Sequence, residues 1–425
     1  MAIHSHEDLI PGRAELCAAL RRITEALSVE LSSPTSSTPD WREFDWGIAR
    51  AVVAIHGIAG ILLRDLRWRE APGWREFLER EVSATRDRLA QSQELLQELD
   101  VRARRKGIPI IALKGCALHA LGLYQPGERP MADVDLLAKP AQFETASSLL
   151  LGMGFAAGRQ SWKHREFTQA TAPMADSADT AAASMLKVDL HSRLAEKLAY
   201  RDFELPGDPF AGSAEAGVRG YASPAALLSH LLLHTAGNMS SRWVRAIHLH
   251  DIARMAECLS AEDWVSMRAT RWPDRWCLYP PLKLTDRYFP GCIDAATLRE
   301  LESDCPRWLV RVTARQCLTD VSASNARVLA LPELAWCASL KDLVRYVRLR
   351  AIPDRSELDD LRGLARTAEY GRGQNWFTMS QPARIATWLF RRPLRPATLH
   401  AVKTGLASVQ RSLSPNPDSG SDLRQ

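Results

Sequence analysis

The stretch Ile108–Leu137, IPIIALKGCALHALGLYQPGERPMADVDLL, constrains this chain more than any other. It opens on an apolar, strand-like run that ends at Lys114-Gly115. It then passes through a helix-like segment and closes on a second apolar run carrying Asp133 and Asp135. Strand side chains alternate with a period of two, so two carboxylates two residues apart project from the same face. A shared divalent cation is the ordinary reason to tolerate the repulsion between them. The rest of the chain reads as what supports, completes or surrounds this strand–helix–strand unit.

Upstream, residues 13–31 pattern as a helix, Ser32–Pro39 as a Ser/Thr/Pro linker, and 41–66 as a largely buried helix with Asp40 as its N-cap. Leu78, Val82, Leu89, Leu96 and Leu99 form one stripe of a long amphipathic helix. Its end is marked by the basic run Arg102–Lys106 and by Gly107. Downstream of Leu137 comes Pro140, then a helical pattern over 143–150 closed by Gly152 and Gly154. Residues 164–170 alternate like a strand, Thr171–Ser184 is a small and polar loop, and Met185–Leu190 is a third strand-like run containing Asp189. From Ala225 onward helices are expected at 224–236, 242–257, 262–270, 296–318, 332–350 and about 380–410, with a break at Gly371–Asn375. The fold class expected is α+β.

At 425 residues the chain has room for two or three domains. No apolar run approaches the roughly 20 residues of a membrane helix, and the first residues lack a signal pattern, so a soluble cytoplasmic protein is expected. The eight cysteines show no CxxC pair and no short Cys/His cluster, and read as reduced thiols. Lys341–Gln425 carries 15 Lys and Arg against 8 Asp and Glu, which leaves the first 340 residues at a net −2. A basic tail can meet nucleic acid or an anionic membrane, but is more often a solvated surface.

The residues that carry chemistry form a set. Gly115 follows a strand and opens a helix, so backbone N–H groups can face phosphate oxygens, and Lys114 adds a point charge or neutralises the acidic cluster. Asp133, Asp135 and Asp189 supply three carboxylates, enough to hold two Mg²⁺ ions against a triphosphate. Arg129 suits bidentate pairing with an aspartate or a phosphate. His191 shares a strand face with Asp189 and is a candidate for orienting substrate. His230 and His234, four apart, share a helical face, and core or interlobe hydrogen bonding is expected for them rather than zinc; His164 stands alone.

The order LKG, RPMADVDLL and a separate VDLH resembles the uncharacterised nucleotidyltransferases of the polymerase-β-like superfamily, and more narrowly a bacterial branch in which Lys-Gly replaces Gly-Ser. The resemblance includes His56-Gly57-Ile58, the Gly152–Phe155 turn, His230, His234 and Asp251, and runs from about Trp41 to Arg350. It implies a core with a short mixed sheet and flanking helices over 108–205. A helical scaffold over 41–107 precedes the core, and an all-α acceptor lobe over 206–350 follows it. Residues 1–40, a basic helical extension at 351–411 and a disordered tail at 412–425 lie around these. The activity implied is transfer of a nucleoside monophosphate from an NTP such as ATP to an acceptor hydroxyl with Mg²⁺ or Mn²⁺. Carried over by position, Gly115 lines the phosphates, Asp133 and Asp135 bind the metals, and Asp189 is metal ligand and general base; Lys114, Arg129 and His191 are the other nucleotide-side candidates. Ser192 stands where members of this branch often have Trp. The acceptor expected is a small molecule, peptide or saccharide. Two rival expectations are a non-catalytic nucleotide-binding scaffold and an RNA-directed enzyme of the tRNA-modifying toxin type, the latter supported by the basic tail alone.

Overall fold

The computed structural model describes residues 12–68, 73–169, 185–211, 215–270, 272–353, 379–391 and 393–413. The expected loop Thr171–Ser184, the break at Gly371–Asn375 and the tail beyond Leu413 lie outside these residues. Among the described residues four helices precede the sheet: α1 (Arg13–Ser32), α2 (Glu43–His56), α3 (Ala59–Asp65) and α4 (Trp74–Lys106). The single helix expected over 41–66 is two, because Gly57 takes the left-handed conformation (φ 65) and closes α2 by donating its N–H to the Val53 carbonyl at 2.8 Å. A Cβ there would press on the Arg245 guanidinium, so any other residue would have to displace that side chain. Gly107 ends α4 in the same way, after the expected basic last turn.

Eight short strands follow among the described residues, where four were expected. They are β1 (Pro109–Ala112), β2 (Val134–Ala138), β3 (Phe155–Gln160), β4 (His164–Gln169), β5 (Lys187–His191), β6 (Ala195–Leu198), β7 (Arg201–Glu204) and β8 (Gly217–Arg219). Six of them form one mixed sheet in the order β3-β4-β5-β2-β1-β8, and β6 and β7 pair as a separate hairpin. The overlooked strands are three to six residues long and half polar, too short to show a period. Helix α5 (Lys114–Ala120) joins β1 to β2, and α6 (Phe143–Leu151) lies between β2 and β3.

The two faces of this sheet differ. Ile110, Leu136, Ala138, Val188 and Leu190 point to a core shared with Leu99 and Ala103 of α4 and with Leu149 and Leu150 of α6. Ile111, Leu113 and Leu137 point the other way, toward Leu194 and Phe210. Asp135, between Leu136 and its neighbour Val134, shares this second face by alternation.

After β8 come α7 (Pro224–Ser241) and α8 (Ala246–Glu257). Ser223 caps α7, its hydroxyl accepting from Ala226 N at 3.2 Å, and Pro224 occupies the first helical position. The helix expected over 296–318 is broken at Pro306 into Ala295–Asp304 and Arg307–Arg315. The one expected over 380–410 is broken near Pro393 into Gln381–Phe390 and Pro396–Leu413. Helix Tyr279–Tyr288 was not expected, its two prolines sitting in the first turn where no N–H is needed. Leu16, Ile48, Leu232, Leu282 and Val402 belong to one apolar core, so helices from both ends of the chain share it. Among the described residues no single helix is long and apolar enough to cross a membrane.

Candidate functional site

Pairing of β1 with β2 continues past the strand: Leu113 N donates to the Asp135 carbonyl at 2.9 Å, which brings the start of α5 against the acidic run. Lys114 then takes φ 46, a conformation that costs a lysine on the order of 1 kcal/mol. Its ammonium is held there by Asp135, Nζ to Oδ1 at 2.6 Å. Gly115 packs under Arg129, and a Cβ in its place would meet the Arg129 guanidinium at 2.3 Å and Met131 at 3.0 Å. Helix α5 has seven residues, so its dipole offers phosphate little, and the cations around it matter more.

Asp133 lies in the bend just before β2 rather than on the strand, half-buried, whereas Asp135 is on β2 and 6 % exposed. β2 and β5 are parallel with Asp135 opposite Asp189 and Leu137 opposite His191. His191 Nε2 lies 3.0 Å from the same Asp135 oxygen that Lys114 holds. Burial alone would favour a neutral Asp135, but Lys114 and His191 outweigh it and keep the carboxyl well below the usual range. Among the described residues Asp133 has no such hydrogen-bonded partner, and burial together with the charge of Asp135 outweighs the pull of Lys114 and Arg245 and pushes it up to about 7. Burial and then Asp135 also push Asp189 up. Burial lowers His191 to about 4, so its ring is neutral near pH 7.

β4 pairs antiparallel with β5, setting His164 opposite His191 and Glu166 opposite Asp189. The isolated His164 of the sequence thus joins the carboxylates. One ligand atom from each of His164, Asp189 and His191 lies within 4.8 Å of the others. His230 and His234 do not meet at a metal: His230 Nδ1 bonds the Tyr221 hydroxyl, and His234 Nδ1 bonds Glu196 at 3.0 Å. Glu196 also accepts from Lys163 Nζ at 2.7 Å.

Arg129 holds Asp251 of α8 in a two-pronged pair, Nε to Oδ1 at 2.8 Å and Nη2 to Oδ2 at 2.7 Å. The Tyr124 hydroxyl donates to Asp251 Oδ1 at 2.8 Å and lies 2.8 Å from His250 Nδ1, which completes the group. Between the carboxylates, α7 and α8 is a cavity of about 300 Å³, with Lys114, Asp133, Asp135, Asn238, Arg245 and His248 on its walls. Arg245 donates Nε to the Ile55 carbonyl at 2.9 Å and makes no ion pair among the described residues; burial and then Arg129 lower it to about 10. A larger cavity of about 640 Å³ begins at Leu137, the next residue of β2 on the site face, and includes Leu194, Phe210 and Trp272.

Sequence reasoning missed His164, Glu166, Glu196, Lys163 and Arg245. The alternation of His164 and Glu166 along HREFTQ was a legible signal; the register that sets them beside Asp189 was not.

A family model described as an uncharacterised nucleotidyltransferase matches residues 42–290, more than half of the chain. No curated protein and no solved structure matches it.

Proposed function

The chain belongs to that family of uncharacterised nucleotidyltransferases, and on this premise we propose that it transfers a nucleoside monophosphate from an NTP to an acceptor with Mg²⁺ or Mn²⁺. The observation that carries the reading is the register of Asp135 against Asp189, with Asp133 beside them and Lys114 the one Lys or Arg in hydrogen-bond contact with the three carboxylates among the described residues. A donor set of crowded carboxylates, one of them pushed up to about 7 by burial and a like charge, fits divalent cations with oxygen preference. Asp133, Asp135 and Asp189 would hold them, as two ions. Bound there, they would supply Lewis-acid charge against the phosphoryl oxygens.

The chain's own residues do the rest. Lys114 and Arg245 face the cavity as cations for the triphosphate, and Arg245 makes no ion pair among the described residues. Arg129 is engaged by Asp251 and acts by fixing the loop before β2 against α8. Asp189, its proton affinity raised by burial and Asp135, takes the proton of the acceptor. The acceptor oxygen bonds to the α-phosphorus, and the bond to pyrophosphate breaks. His191 orients Asp135. The helices after β8 and the cavity of about 640 Å³ on the same sheet face give the acceptor's body room. A small molecule, peptide or saccharide suits that space, and nucleic acid is the less favoured partner.

The test is pyrophosphate release from each of the four NTPs with Mg²⁺ or Mn²⁺ and a panel of acceptors. Release is expected with at least one pair and is expected to vanish in Asp133→Asn and Asp189→Asn. Unchanged release in both variants would sink the reading.

A further inference from the structure

Oxygen ligands alone do not describe the β4–β5 side of the carboxylate cluster. His164 and His191 sit opposite each other on neighbouring strands, ring centroids 5.1 Å apart, and both face the side where Asp189 and Asp135 stand. His164 Nε2 is 3.8 Å from Asp189 Oδ2, and His191 Nε2 is 3.0 Å from Asp135 Oδ1. Two ligands at right angles around one ion, with bonds of about 2.1 Å, are about 3 Å apart. The His191–Asp135 spacing already matches such an edge.

A hydrogen bond behind the ring holds His164 in place. The Ser161 hydroxyl lies 3.1 Å from His164 Nδ1 and also 3.1 Å from the His164 carbonyl. The Ser161 oxygen already accepts from His164 N at 3.1 Å and the His164 carbonyl already accepts from Ser161 N at 2.8 Å, so the hydroxyl can turn its proton to the carbonyl or to Nδ1. A bound ion would select the tautomer with the proton on Nδ1, which Ser161 can accept, and the lone pair on Nε2, the nitrogen that faces Asp189. His191 needs only a change of tautomer, with its proton on Nδ1, for an ion to take the place of the Nε2 proton on Asp135. Glu166, opposite Asp189 and 3.8 Å from His164 Nε2, adds a further carboxylate at the rim.

We infer that the position between Asp135 and Asp189 is a mixed nitrogen and oxygen site, completed by His164 and His191, that takes a first-row transition ion such as Mn²⁺ or Co²⁺ in preference to Mg²⁺. Imidazole suits the transition metals, whereas Mg²⁺ selects oxygen. The inference deepens the metal-dependent reading above by naming the ion and its nitrogen ligands. The Asp133 side, next to Lys114 and the triphosphate cavity, keeps an oxygen-only donor set.

The experiment uses the full chain, freed of metal with a chelator and without nucleotide. Calorimetric titration is expected to give Mn²⁺ and Co²⁺ affinities at least about ten-fold above that of Mg²⁺. Pulsed EPR of the Mn²⁺ form is expected to show coupling to imidazole nitrogen. His164→Gln should weaken Mn²⁺ binding by about ten- to a hundred-fold and reduce the nitrogen coupling, while Mg²⁺ affinity changes little. His164→Asp should swing the preference back toward Mg²⁺. Absence of nitrogen coupling in the wild-type protein, or equal Mg²⁺ and Mn²⁺ affinities, overturns the inference without recourse to a variant. Because no nucleotide is present, a protein that selects Mn²⁺ but releases no pyrophosphate would overturn the transfer reading alone. One that transfers with Mg²⁺ and shows no selectivity would overturn only the site composition.

Discussion

Two clusters of buried charge line the same cavity and are built differently. In the first, the Arg129 guanidinium meets both oxygens of Asp251, and Tyr124 completes the acceptor, so charge and hydrogen-bonding capacity balance. In the second, Asp133, Asp135 and Asp189 crowd around one ammonium, Lys114, and a neutral His191. The balanced cluster joins the loop before β2 to α8 and wants nothing further. The unbalanced one holds carboxyls whose proton affinity is raised, and they must either keep protons or take an added cation. Incomplete pairing, more than burial, separates a site from a strut.

The largest expected effects would break the contrast directly. Asp135→Asn removes the carboxylate at the centre of the unbalanced cluster, and nucleotidyl transfer is expected to fall by about 10³-fold, the equivalent of about 4 kcal/mol. Folding should be affected far less, because the amide oxygen can still accept from Lys114. Asp251→Ala should do the reverse. It leaves a buried guanidinium without its partner and is expected to cost about 3–5 kcal/mol of stability, read by urea unfolding. If Asp251→Ala unfolded at the wild-type urea concentration, the strut would be no strut.

A histidine of the balanced kind predicts a pH effect of intermediate size. His56 is fully buried: its Nδ1 accepts from Ala246 N at 3.0 Å, so its Nε2–H donates to the Ser324 hydroxyl at 2.8 Å. Burial, and then Arg245, lower it to about 3 against an ordinary 6.5. The folded state keeps this ring neutral while the unfolded chain binds a proton below 6.5. The stability it contributes is therefore complete above pH 6.5 and is lost as pH falls toward 3, at about 1.4 kcal/mol per pH unit. Between pH 6.5 and 5 the wild-type loss from this group is about 2 kcal/mol. His56→Gln cannot take up the proton, so its unfolding free energy should fall less steeply over the same range. Equal slopes for the two proteins would remove His56 from the account.

How much of this was legible follows from period and distance along the chain. The alternation in ADVDLL marked which face of β2 bears charge, and the stripe Leu78–Leu99 marked the helix behind the apolar face, because both patterns are local. The strand-like alternation of His164 and Glu166 was equally local, but nothing in HREFTQ says that β4 pairs with β5 in the register that brings His164 to Asp189. Arg129 was legible as a pairing cation; its partner Asp251 lies 122 residues away, and only the packing of α8 brings it there. Proline told against the long C-terminal helices at Pro306 and near Pro393, and there the apolar spacing was followed too far.

The last effect sharpens the contrast, since it has the opposite sign from the usual cost of mutating a buried charge. Asp133 is pushed up to about 7 from an ordinary 3.8 by burial and then by Asp135. A carboxyl whose folded pKa is raised favours folding below its unfolded value and loses that advantage as pH rises through the folded one. In metal-free protein, ionised Asp133 therefore opposes folding above about pH 7. Asp133→Asn removes that charge and keeps the shape, so with chelator present at pH 8 the variant should be the more stable of the two, by at most about 4 kcal/mol and less as Lys114 and Arg245 screen the charge. At pH 4 the difference should disappear. Addition of Mn²⁺ should reverse the order, because the wild-type cluster then has its cation and the variant has lost a ligand for it. A variant less stable than wild type in chelator at pH 8 would mean that Asp133 is a paired structural carboxylate after all, and that the crowding around Lys114 demands no metal.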